Sequence, residues 1–222
     1  MKEENLLILS TSLSEMFVLL RTKNDEIYKK ILLGKKSGNY LASAIQEILI
    51  DSSLEINDIE MFAVDIGPGS FTGIRVAIST LQGLLVIKPE KEVYTFYSSD
   101  FLYLSALKNY KNLVGEKLAV LKRARENAAY VSIYKNLKRI FGPEMVFYIH
   151  FHRILKDCIL INEEASYFKE KYKLENRLLN AEIDDESIIE VALRGEKVKV
   201  EEVIPLYLQK PIAVENYEKN HT

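Results

Sequence analysis

A single cysteine, Cys158, stands among 222 residues, so no internal disulfide can form and a bridge-stapled secreted scaffold is excluded. Histidine is also scarce. His150 and His152 alternate in a run read as a strand, which would put both on one face, and His221 lies in the polar tail. With no third His, Cys or clustered carboxylate at ligand spacing and no HExxH pair, they read as surface or core histidines, and no metal site is expected. No apolar run approaches the roughly 20 residues of a membrane span. Neither sign of charge dominates: 30 Lys and Arg against 32 Asp and Glu give a net charge of -2, which leaves no global basic field to gather nucleic acid or acidic lipid. The opening Met1-Lys2-Glu3-Glu4 carries acids where a signal peptide would be basic, so a cytoplasmic location without membrane attachment is expected.

What is present fits a folded α/β protein. With 48% hydrophobic and 28% charged residues, the chain has material for one large domain or two small ones. A chain of this size buries about 70 to 75% of its unfolded surface and needs no staple. Three short apolar runs, 5–12, 16–22 and 26–33, are joined by short polar connectors and predict an antiparallel meander. Leu41, Ile45, Ile48 and Leu49 then mark one face of a helix over 39–50, with Tyr40, Ala44 and Glu47 as a second, half-apolar stripe. A buried strand is expected over 61–66, a helix over 73–86, a strand over 92–96 and a helix over 98–108, which would close a first lobe near residue 110. Beyond it, 117–121 and 128–134 read as a hairpin, 145–151 and 158–161 as strands, and 163–172 and 185–193 as helices, followed by a late apolar run at 204–208. The tail 215–222 is polar enough to fray.

The most informative stretch is Asp65-Ile66-Gly67-Pro68-Gly69-Ser70-Phe71-Thr72-Gly73, a strand end feeding a helix through a glycine-rich turn. Free N–H groups and the helix dipole can hold an anion at such a place. Neither nucleotide fingerprint fits, because no lysine follows Gly73 and the spacing is G-x-G-x-x-x-G. The turn is thus either an anion cradle or a structural strand-to-helix link. The following helix is apolar or small nearly all round, with Ala77, Ser79, Thr80 and Gly83 among its larger residues. Together with the stripe on the preceding helix it offers a two-helix face to a partner, unless the second lobe covers it.

Other features carry less. Ser10, Thr11 and Ser12 end the first strand where phosphotransferases of the actin and hexokinase type keep an aspartate for metal-bound nucleotide, so ATP chemistry there is not expected. Lys122-Arg123-Ala124-Arg125 is a short basic cluster, either a solvated turn or a weak phosphate contact. Cys158 reads as a small buried hydrophobe.

The segment 66–84, IGPGSFTGIRVAISTLQGL, closely resembles the signature of the TsaB (YeaZ) family, the non-catalytic companion of TsaD in bacterial threonylcarbamoyladenosine synthesis on tRNA. LLILSTS near the start resembles the family's ILAIDTS, 121–130 stands in place of its DAR-containing strand, and Pro205-Leu206-Tyr207-Leu208-Gln209-Lys210 resembles its PLYLRK ending. The resemblance implies an actin/hexokinase/Hsp70-like (ASKHA, ribonuclease H-like) α/β fold of two related lobes, taken as 1–110 and 111–222.

It further implies a subunit that is not itself an enzyme and needs no cofactor. Its docking face would comprise Tyr40, Ala44, Glu47, Gly73, Arg75, Val76, Ala77, Ser79, Thr80, Gln82 and Gly83, behind the signature loop Gly67, Pro68, Gly69, Ser70, Phe71 and Thr72. The implied partners are a TsaD-type catalytic subunit, a TsaE-type ATPase and, when alone, a second copy, with tRNA touched only weakly or indirectly. The sequence departs from the family at Ser10, where an aspartate is usual, at Ser37 in place of a histidine, and at Lys122 in place of the DAR aspartate. These losses tell against autonomous catalysis. The alternative is a stand-alone ASKHA nucleotide hydrolase or a glycoprotease-like metalloprotease.

Overall fold

In the computed structural model, which describes residues 4–32, 37–162 and 164–208, one pattern of elements runs twice along the chain. Strands β1 (Leu6–Ser10), β2 (Phe17–Arg21) and β3 (Ile27–Ile31) form the meander, followed by α1 (Ser37–Asp51), β4 (Met61–Asp65), α2 (Phe71–Leu84), β5 (Glu92–Phe96) and α3 (Ser98–Asn109). The order recurs as β6 (Lys117–Arg123), β7 (Ala128–Lys135), β8 (Lys138–Phe147), α4 (Phe151–Ile154), β9 (Cys158–Ile161), α5 (Glu164–Lys171), β10 (Leu178–Leu179) and α6 (Asp185–Leu193). The first sheet is ordered β3-β2-β1-β4-β5 and the second β8-β7-β6-β9-β10. In each, the first three strands are antiparallel and the fourth lies parallel to the first. Two lobes of one ribonuclease H-like topology result, which is the α/β, actin/hexokinase/Hsp70-like class expected.

Strand parity divides the apolar residues into three layers, because successive side chains point to opposite faces. Leu6 and Ile8 of β1, with Leu118 and Val120 of β6, face a central layer shared with α3 and α6. Leu7 and Leu9 point the other way, into a layer closed by α1 and α2. Ala119 and Leu121 face the corresponding layer under α4 and α5. The helices hold because these stripes are buried: Leu41, Ile45 and Ile48 of α1 and Ile74, Ile78 and Leu81 of α2 are each at most 4% exposed. Burial of such a side chain stabilises by roughly 1.5–3 kcal/mol.

The chain does not stay in its second lobe. Strand β11 (Glu196–Lys199) returns to pair antiparallel with β5, extending the first sheet, and Val200 and Val203 cap the α2 layer. The apolar run 204–208 is an irregular strap, tied by Leu206 N–H to Ile66 O at 2.9 Å. The expected strand over 145–151 is corrected: β8 ends at Phe147, and Tyr148–His150 and α4 are helical turns. At about 100° per residue, His150 and His152 therefore do not share a face as strand neighbours would. His221, Gln209, Lys210 and the tail fall outside the described residues.

Candidate functional site

The glycine-rich turn is laid directly on the end of β1. A Cβ at Gly69 would stand 2.1 Å from Ser12 O, and one at Gly73 would stand 2.2 Å from Thr11 O. Gly67, at φ +116°, has a backbone that side chains other than glycine's rarely adopt. Ser70 N–H donates to Ser12 O at 2.9 Å, and Ser70 Oγ caps α2 by accepting from Gly73 N at 3.2 Å. The glycine spacing is thus a packing requirement of the chain's own backbone, which accounts for the motif as a structural link.

Beneath this turn lies a carboxylate that sequence reasoning quoted but did not single out. Asp65, at the end of β4, is completely buried. It accepts hydrogen bonds from Ser10 Oγ at 2.8 Å, from Ser12 Oγ and from Gly67 N–H at 2.8 Å. Ser12 Oγ also lies 2.9 Å from Ser98 Oγ, itself 3.3 Å from Pro68 O. Burial pushes the Asp65 carboxyl up to about 6, although its three donors and the charge of Lys122 pull the other way. The serine at the position of the family's early aspartate is therefore engaged with a neighbouring carboxylate. The available signal was a charged residue ending the otherwise apolar strand MFAVD.

Across the interlobe cleft the second lobe uses the equivalent turn in the same way. Asn162, after β9, bonds the backbone of Leu121 through its side-chain amide, with Nδ2 donating at 2.9 Å. Glu164, at the N-terminus of α5, accepts from Lys122 Nζ at 2.7 Å and from Arg123 N–H at 2.5 Å. Lys122, read from sequence as part of an exposed basic cluster, is 2% exposed; parity puts it on the face of Leu118 and Val120, toward the other lobe. An open cleft of about 400 Å³ separates the two turns, lined by Ser12, Gly69, Ser70, Lys122, Arg123 and Glu164 among others. Among the described residues no group of three His, Cys, Asp or Glu side chains is placed to hold a metal ion, and no helix is long and apolar enough to cross a membrane. Burial pushes the Cys158 thiol up to about 11, in keeping with a packed, unreactive side chain.

The residues named for the docking face divide by burial. Helices α1 and α2 pack side by side, but Ala44, Gly73 and Ala77 are buried in the chain's own core. Their small size serves contact within this chain. Tyr40, Glu47, Arg75, Ser79 and Gly83 are exposed, while Val76, Thr80 and Gln82 are half-buried, Gln82 Nε2 donating to Val200 O at 3.2 Å. Phe71, Thr72, Arg75, Val76, Ser79 and Thr80 line one shallow groove. The Arg75 guanidinium lies 4.0 Å from the centre of the Phe71 ring and 3.4 Å from Tyr207 Oη, and the Phe71 and Tyr207 rings are 5.6 Å apart. The strap's contribution through Tyr207 was not visible from periodicity.

A family model described as "TsaD: tRNA N6-adenosine threonylcarbamoyltransferase" matches residues 32–213. Two curated relatives, each called "tRNA threonylcarbamoyladenosine biosynthesis protein TsaB", are similar. That of Buchnera aphidicola subsp. Baizongia pistaciae is 34% identical over 85 residues, 36% of this chain and 37% of its own length. That of Haemophilus influenzae is 34% identical over 84 residues, 38% of this chain and 36% of its own length. The chain thus spans little more than a third of the length of the curated relatives it matches. Among solved structures, YeaZ from Pseudomonas aeruginosa superimposes with a TM-score of 0.73 at 20% identity, over 92% of this chain and 100% of that one. A second Pseudomonas aeruginosa protein, described as similar to peptidase YEAZ, gives 0.75 at 20% identity over 93% and 100%. These two likenesses establish the fold. Since the family model spans well over half of the sequence, the chain belongs to the tRNA N6-adenosine threonylcarbamoyltransferase (TsaD) family, with the TsaB/YeaZ proteins as its relatives.

Proposed function

We propose that this chain is a scaffold and activating subunit in the formation of N6-threonylcarbamoyladenosine beside the anticodon of tRNA. It binds and stabilises a TsaD-type catalytic subunit, works alongside a TsaE-type ATPase, and pairs with a second copy when the catalytic subunit is absent. The observation that carries this reading is the outer face of α2, where Phe71, Arg75, Ser79 and the strap residue Tyr207 surround a shallow exposed groove. An exposed aromatic and arginine cluster rimmed by small polar residues is the composition of a protein interface. The turns that would otherwise serve catalysis are tied together internally, Asp65 by Ser10 and Ser12 and Lys122 by Glu164.

The test is pairing with the purified TsaD-type subunit of the same genome. Ser79→Arg is the informative variant, because Ser79 is exposed; Arg at Ala77 would break this chain's own core. Binding should fall at least tenfold while the melting temperature stays put, and unchanged binding sinks the interface assignment. The interlobe cleft favours one other reading, a stand-alone nucleotide hydrolase. Calorimetry with ATP and magnesium separates the two: micromolar binding to the isolated chain supports the hydrolase, and its absence supports the scaffold.

A further inference from the structure

A cavity of about 300 Å³ lies where β5 and α3 meet the β7–β8 turn and the link from α6 to β11. Its lining shares no residue with the interlobe cleft or with the α2 groove. Aromatic rings dominate its walls: Phe96, Tyr97, Tyr103 and Tyr134, the last two stacked at 4.4 Å. Asp100 stands among them, one turn before Tyr103 on α3. Its Oδ1 accepts from Tyr134 Oη at 2.6 Å and from Arg139 Nη1 at 3.2 Å, and no described residue engages Oδ2. The side chain is 30% exposed, so that second oxygen is within reach of a ligand. Burial pushes the Asp100 carboxyl above its ordinary value, although Tyr134 and Arg139 pull the other way, so its charge is incompletely compensated. The cations of the lining are already engaged: Arg139 by Asp100 and by the Tyr97 ring, 4.5 Å from its centre, and Arg194 by Glu190 at 2.5 Å.

We propose that this cavity is a binding site for a small organic cation, an ammonium group carried on a short apolar body. The ammonium takes Asp100 Oδ2 and the electron-rich ring faces beside it, while the apolar body packs on Phe96, Leu104 and Val191. Arg139 shows the same chemistry within the chain, a cation shared between a tyrosine face and this carboxylate. An anion would meet the Asp100 charge with both arginines already paired, and a neutral apolar ligand would bury Oδ2 without a donor. The volume is at the lower end of cavities that hold small molecules, which fits a ligand of a few carbons. The inference stands apart from the partner face, since no residue of the cavity belongs to α1 or α2.

The experiment is an NMR titration of the full chain, following the methyl resonances of Leu104 and Val191, with butylammonium and tetramethylammonium as probes and butyrate and butanol as size-matched controls. The two cations should shift these methyls saturably at millimolar concentration, as befits ligands of so few atoms, and the controls should not. Asp100→Asn keeps an oxygen for Tyr134 and Arg139 but loses the charge, and should weaken cation binding about fivefold or more. Arg139→Gln removes the chain's own competing cation and should tighten it severalfold, a gain that a merely structural role for Asp100 would not produce. The interface variant Ser79→Arg should bind the probes as the parent does, so failure here is distinct from failure of the scaffold reading. Absence of a saturable shift, equal shifts with butyrate or butanol, parent affinity in Asp100→Asn, or no gain in Arg139→Gln overturns the proposal. Circular dichroism melts of each variant exclude unfolding as the cause.

Discussion

Replacing Asp65 by Asn tests the buried network at the heart of the first lobe. The carboxyl has an ordinary value of 3.8 and is raised to about 6 by burial, so the folded chain holds this proton more tightly than the unfolded chain does. By linkage, the group's contribution to stability is fully present below about pH 4 and is lost as pH rises through 6. The difference corresponds to about 3 kcal/mol. In Asp65→Asn the neutral amide keeps an oxygen for Gly67 N–H, and the Ser10 and Ser12 hydroxyls can rotate to accept from its NH2. Whatever that exchange costs, it does not vary with pH. Urea unfolding of both proteins between pH 4 and 7.5 should therefore show the parent losing about 2.5 kcal/mol relative to the variant, with most of the change between pH 4 and 6. A stability difference that stays constant over this range would refute the reasoning, as would a parent that gains on the variant as pH rises.

Other expectations follow from the same geometry. Lys122→Met leaves Glu164 without its buried cation and should cost about 3 kcal/mol by urea unfolding, while adding Glu164→Gln should recover part of the loss. Gly73→Ala drives a Cβ against Thr11 O and should lower the melting temperature sharply, whereas Gly83→Ala, with nothing within 4 Å of the new atom, should stabilise α2 by about 0.5–1 kcal/mol.

Elements with strong periodicity were legible in the sequence. Strand β5 and helix α6 begin and end where the pattern put them, and α1, α2 and the β6–β7 hairpin lie within a few residues. Only the end of strand β8, 145–147, fell within the expected strand, because β8 is a sheet edge: KRIFGPEMVF alternates poorly, is interrupted by Gly142-Pro143, and is largely exposed. Strand β11, EKVK, is polar for the same reason, and only its pairing with β5 makes it a strand.

The site was legible in its glycine turn but not in its partners. Glu164 reaches Lys122 across 42 positions of sequence, a distance no local pattern reports. The side of β6 on which Lys122 lies was available from parity with Leu118 and Val120, whereas the basic run KRAR suggested a solvated turn. Small residues on α2 were read together as a contact surface; the fold divides them, turning Gly73 and Ala77 inward and Ser79 and Gly83 outward.

The most direct measurement is threonylcarbamoyl transfer to tRNA by the purified TsaD-type and TsaE-type proteins, supplied with the threonylcarbamoyl donor and ATP, with and without this chain. The account predicts that product forms at an appreciable rate only when the chain is present, and that folded Ser79→Arg fails to support it. Transfer at the same rate without the chain, or full support from Ser79→Arg, would contradict it.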